Sequence, residues 1–142
     1  MAGLAAASRN ANIRSMFGAD KGSLALGTLY FALFNGSPAG TGVEPTSAGG
    51  YARVSRLNDA ALWGTYTAAD LAVTNKGASG AIQWPAATGL WSQTTLTHWA
   101  IFDNASGGNL WFWGPLSSNI VMTGAGDVVQ FPASTLTIAQ GA

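Results

Sequence analysis

The stretch 98-HWAIFDNASGGNLWFWGPL-116 decides how the rest of the chain is read. It sets Trp99, Phe102, Trp111, Phe112 and Trp113 beside the only histidine and a Gly-Gly turn, all within nineteen residues. Two apolar runs, 95-TLTHWAIFD-103 and 109-NLWFWGPL-116, flank the turn sequence NASGG and predict a β-hairpin. Alternation places Thr97, Trp99 and Ile101 on one face and Leu96, His98, Ala100 and Phe102 on the other. On the return strand, Trp111 and Trp113 share a face opposite Leu110 and Phe112. A strand that is apolar on both sides reads as central and covered on both faces. The hairpin is therefore expected to anchor a core, with one Trp emerging at an interface or as a sugar platform.

Working outward, strand-like alternation recurs at 27–34 (GTLYFALF), 51–57 (YARVSRL), 71–75 (LAVTN) and 81–85 (AIQWP). It returns at 127–131 (DVVQF) and 134–139 (STLTIA), with Gly, Pro and Ser turns between. The segment 58–70 reads as a short helix or an irregular excursion. About eight strands at this spacing predict an all-β fold, an antiparallel jelly roll or β-sandwich, rather than βαβ units. Residues 2–17 are alanine-rich, carry Arg14 near their end and precede Gly18, so they predict an N-terminal α-helical arm. The expected organisation is an arm over 1–18 and one β-domain over 19–142. On that thin helical stripe, Leu4, Ala7, Ala11, Met16 and Phe17 are the candidate interface residues, with Arg9 and Arg14 for polar contacts. Loops 35–50 and 115–126 are alternative contact elements.

Only 8% of the residues are charged and the net charge is zero. Ordinary chains carry about 25%. So sparse a charge set fits surface that is buried in an assembly, because interface cores are depleted in charge. It also argues against nucleic acid, whose phosphates require a clustered basic field. Five of the six basic residues fall in 1–56 and four of the six acidic ones in 57–142, an asymmetry able to orient a subunit. No apolar run reaches the roughly 18–20 residues of a membrane span, so no membrane partner is expected. The N-terminus lacks the basic stretch of a secretory leader, and the protein is expected to be made in the cytoplasm.

No catalytic constellation emerges, and no enzyme activity is expected. His98 has Asp103 as its nearest acid in sequence, but no nucleophile elbow accompanies them. The run 103-DNASGGN-109 lacks the spaced carboxylates of an EF-hand and reads as a turn. The sequence 18-GADKGS-23 has neither the spacing nor the preceding strand of a phosphate loop. With no cysteine present, disulfides and thiolate metal sites are excluded. No metal and no cofactor are expected.

The ordered set of Leu33-Phe34, Gly49 to Val54, Trp84 to Trp91 and His98 to Gly114 resembles a family of small bacteriophage virion proteins. Members are often labelled tail-fibre proteins, and some look like jelly-roll cement (decoration) proteins of the icosahedral head. The resemblance covers about residues 27–139; Trp84 stands where a Phe is usual. It implies a structural protein without catalytic residues. Compactness and low charge direct the expectation to the capsid surface of the virion. There, a homo-oligomer, dimer or trimer, bridges major capsid protein subunits. The alternative is a tail or tail-fibre component with host-glycan binding, which requires an exposed ring among Trp63, Trp91, Trp111 and Trp113.

Overall fold

The computed structural model describes residues 15–17, 26–65 and 72–139. Among these, the chain is mostly β, with antiparallel pairing and little helix. The strands are β1 (Thr28–Phe34), β2 (Val54–Leu57), β3 (Ala72–Thr74), β4 (Ile82–Gln83), β5 (Thr95–Phe102), β6 (Leu110–Val121), β7 (Gln130–Phe131) and β8 (Thr137–Ala139). The helix α1 (Ala60–Trp63) lies in the segment between β2 and β3. Asp59 starts it by accepting from the backbone N–H groups of Ala61 and Leu62, at 3.0 and 3.2 Å. Of the expected arm, Ser15 and Met16 are helical. Residues 2–14 and the arm boundary at 18 lie outside the described residues.

Two compact units are built from interleaved segments. One comprises Thr28–Arg56 and Gln83–Gln130, the other Met1–Gly27, Leu57–Ile82 and Phe131–Ala142. The chain passes between them at several points, so no single linker marks the division.

The first unit holds a four-stranded sheet in the order β2-β1-β5-β6. Its register pairs Leu33 with Trp99, Ala32 with Ala100, and Phe34 with His98. One face carries Leu29, Phe31, Leu33, Trp99 and Ile101, all buried. Trp99 lies opposite Gly114 on β6, and a Cβ at Gly114 would stand 3.0 Å from the indole. The missing side chain is the space the Trp99 ring occupies. On the other face, Ala32 and Ala100 sit side by side, and Phe34 and Phe102 stack at 6.0 Å. Two small residues thus leave room for two flat rings.

Hydrogen bonds shorten the expected strands. Tyr51 lies at the start of the 51–57 run, but pairing begins only at Val54. Its hydroxyl accepts from the N–H of Leu33 and donates to Glu44 Oε1, at 3.1 and 2.9 Å. Its ring meets Trp91 edge-on at 5.0 Å, and the Trp91 indole N–H donates to the carbonyl of Gly49. Burial first, and then the charge of Glu44, raise the Tyr51 phenol far above its ordinary range. Near the second end of the unit, Asp127 accepts from the N–H groups of Thr123 and Gly124, closing a turn that draws in the first residue of the strand expected over 127–131. Strand β7 therefore starts at Gln130, and it pairs with β4.

In the second unit, β3 pairs with β8. Two buried asparagines organise the segments around this ladder. Asn75 donates to the carbonyls of Gly80 and Pro132 and accepts from the N–H groups of Thr135 and Leu136. Asn58 donates to the carbonyls of Met16 and Leu26 and accepts from the Trp63 indole.

Candidate functional site

Strand β6 departs from the expectation that both hairpin strands are covered on both faces. β5 is central, but β6 is the sheet edge. An unpaired edge invites association with other strands. Here Pro115 removes one N–H, and the register against β5 jumps between Leu96 and His98, where Ile120 gives way to Pro115. The extra β6 residues form a wide bulge, so the edge is interrupted. The segment expected as a loop over 115–126 is strand as far as Val121.

A second irregularity lies between Ile101 and Phe102, whose partners are Phe112 and Leu110. Trp111 is the extra residue. This bulge corrects the simple alternation: Leu110 packs on the Ala32, Phe34, Ala100 and Phe102 cluster instead of facing away from it. Trp111 is left 39% exposed, and Trp113, opposite Ala100, is 44% exposed. The two indoles lie two residues apart on the outward side of one edge strand.

Polar groups close both ends of this indole pair. At one end, the His98 ring lies 6.0 Å from that of Trp113, with His98 Nδ1 2.8 Å from Thr97 Oγ1. At the other end, Asp103 Oδ2 accepts from the Trp111 indole N–H at 3.5 Å and from Asn109 Nδ2 at 2.7 Å. Asp103 Oδ1 accepts from the backbone N–H of Asn109 at 2.7 Å. The Asn109 side chain first, then its backbone N–H, hold the Asp103 carboxyl below the ordinary carboxylate range. Gly108 adopts φ +76°, and a Cβ there would collide with the Asp103 carboxylate. The Gly-Gly pair thus lets the loop fold onto its own acid.

The loop is also held from beneath. Arg53, at the entry to β2, lies 3.7 Å from the centroid of Phe102. Its guanidinium donates to both oxygens of Glu44 and to the carbonyls of Asn104 and Gly107, each at 2.7–2.8 Å. The fork geometry of arginine suits this double duty. Residues 104–126 carry no formal charge, so Asp103 is the nearest one along the hairpin. What results is a pair of exposed indoles on an edge strand, with hydrogen-bonding groups at both ends and a tied loop beside it.

The other rings named from sequence are placed differently. Trp63 and Trp91 are buried in their own units and offer no platform. Among the arm residues, Leu4, Ala7, Arg9, Ala11 and Arg14 lie outside the described residues. Met16 is half-buried. Phe17 is buried and meets Trp63 edge-on at 5.0 Å, so its ring belongs to its own unit's core and presents no surface to a partner. The Arg53 network was missed in the sequence, where Glu44 and Arg53 are separated by a glycine-rich loop. The bulge that turns Trp111 outward left no local signal either. Among the described residues, no three acidic or histidine side chains gather to hold a metal ion. No helix among them is long and apolar enough to cross a membrane.

Compared with known proteins, residues 4–139 match the family model described as Podophage GP4 fiber I protein gp80. No curated protein matches.

Proposed function

The chain belongs to the Podophage GP4 fiber I protein gp80 family, and from that premise we propose that it is a non-enzymatic subunit of the phage fibre apparatus. As a phage virion structural protein it acts by contact, and the outward indole pair of β6 is its contact surface. That pair is the observation that carries the reading. On the opposite sheet face Leu29, Phe31, Leu33 and Ile101 are buried, and Phe34 and Phe102 are buried too, yet two of the largest apolar side chains, Trp111 and Trp113, remain exposed. Exposed aromatic rings on a held scaffold mark recognition sites.

A second reading keeps the protein on the head, as a jelly-roll cement protein whose homo-oligomer bridges major capsid protein subunits. Val43, Leu90, Val121 and Val128, all exposed in the sheet unit, favour it. Such a clamp requires several apolar contacts, each burying about 800 Å² per partner. Copy number separates the two. Purified particles should contain the protein in a small number tracking the tail; a number tracking the shell lattice would replace the fibre reading with the cement one.

A further inference from the structure

We infer that Asn35–Gly36, where β1 runs into its loop, is a self-modification site: a deamidation centre that the folded sheet holds unreacted. Released from that hold, Asn35 converts irreversibly to aspartate or isoaspartate.

The chemistry is set by the dipeptide. Asn35 and Gly36 form the only Asn-Gly pair in the chain. Asparagine is among the chemically labile residues, and a following glycine puts no side chain beside the attacking nitrogen. The Gly36 backbone nitrogen attacks Asn35 Cγ. The N–Cγ bond forms, the Cγ–Nδ2 bond breaks, and ammonia leaves with the proton given up by the Gly36 nitrogen. Water then opens the resulting succinimide at either carbonyl, giving aspartate or isoaspartate. Water is the only co-reactant.

In the folded protein both reacting groups are engaged elsewhere. The Gly36 N–H donates to Thr97 Oγ1 at 2.8 Å, so the nucleophile is occupied. The hydroxyl proton of Thr97 is directed to His98 Nδ1 or to the Phe34 carbonyl, which leaves its lone pairs for Gly36. On the leaving-group side, Asn35 Nδ2 donates to Gln93 Oε1 at 3.2 Å. The Asn35 main chain is fixed as well, since its N–H and C=O both pair with Val43, at 3.0 and 2.8 Å. Gln93 precedes β5 and Thr97 lies within it, so these two clamps exist only while β1 lies against β5.

The loop adds little slack. The Ser37 carbonyl accepts from the N–H groups of Gly40 and Gly42, at 3.0 and 2.9 Å. A Cβ at Gly42 would stand 2.5 Å from that same oxygen. Yet Asn35 itself is exposed, so water reaches it once the clamps open.

Conversion changes the strand end in a way that cannot be undone by refolding. Residues 28–43 carry no formal charge, and a new carboxylate at position 35 would face the Gln93 acceptor instead of donating to it. Isoaspartate also lengthens the main chain by one methylene, which puts the paired bonds to Val43 out of register. Opening of this strand end is thereby recorded covalently.

The test incubates the full-length protein at mildly alkaline pH, folded and in urea, and follows each asparagine by peptide mass spectrometry. In urea Asn35 should convert ahead of the other asparagines, and in the folded protein it should convert far more slowly. Gln93→Leu and Thr97→Val should each speed the folded-state conversion about fivefold, the change in open population when one ordinary hydrogen bond is lost. Neither should alter the rate in urea. Gly114→Ala, which loosens the same sheet unit away from the site, should leave the folded-state rate unchanged. Circular dichroism verifies the fold of each variant, and Gln93→Leu, at an exposed pair, keeps the test open if Thr97→Val fails to fold. Converted protein, separated by ion exchange, should show faster hydrogen exchange over residues 36–43. Equal rates for Asn35 folded and in urea would overturn the inference, as would an Asn35 no more reactive in urea than the other asparagines. So would clamp variants with the wild-type rate, or a Gly114→Ala that accelerates conversion as much as they do, since protection would then belong to overall stability. Unchanged exchange in the converted protein would overturn the irreversible opening.

Discussion

At the scale of single residues, three positions govern whether the sheet unit and its neighbour fold as described. Gly114 is a glycine because the Trp99 indole fills its side-chain space. Gly114→Ala forces the ring off its rotamer and should cost about 1–3 kcal/mol, read as a shift in the denaturant midpoint. Asn75 joins four backbone groups of the second unit through one amide. Asn75→Ala leaves buried donors and acceptors without partners and should destabilise by about 3 kcal/mol or more in the same assay. Asp103 acts through charge. Its folded-state carboxyl is depressed, so the contribution of its hydrogen bonds is fully present above the unfolded value of about 3.9 and is lost as pH falls through the lower folded value. The Asn109 amide resonance should therefore hold constant from neutral pH to about pH 4 and move only below it. In Asp103→Asn, that acid transition should vanish. None of these roles is legible in sequence: Gly114 and Asn75 read as members of the expected strands 109–116 and 71–75, because the partners that give them their roles are distant in the chain.

At the scale of elements, the hairpin was legible and its edge was not. Alternation in 95-TLTHWAIFD-103 locates β5 and its buried faces, because a central strand repeats every second residue without interruption. The same logic fails on β6. A bulge adds a residue at Trp111, which moves Leu110 onto the Phe102 cluster, and no local pattern announces an extra residue. Strand ends were also misjudged wherever a side chain competes with the ladder, as Asp127 does in its turn. The hairpin loop depends on Arg53 in the same non-local way. Arg53→Lys removes the bidentate contact with Glu44, the two loop carbonyls and the stacking on Phe102. It should cost about 2–4 kcal/mol. Hydrogen exchange should show faster opening in residues 103–109 while the β1–β5 pairing stays protected.

At the scale of the molecule, composition pointed to the class of protein before any coordinate did. Twelve formal charges on 142 residues, with none over 104–126, are the basis for expecting a surface that is buried in an assembly. The order of the short motifs through the hairpin pointed to a phage virion protein, in agreement with the family match over residues 4–139. Division into two units of interleaved segments was not foreseeable, since the chain crosses between them without a change in composition. Nor did the motifs choose between head and fibre, because a compact charge-poor β-domain serves either.

The most direct measurement is the ratio of this protein to the major capsid protein and to the tail proteins in purified particles, by quantitative mass spectrometry. A fibre subunit should be present in a few copies per particle, retained with tails when heads and tails are separated. A ratio matching the shell lattice, retained with heads, would contradict the fibre assignment, and absence from the particle would contradict the structural role altogether.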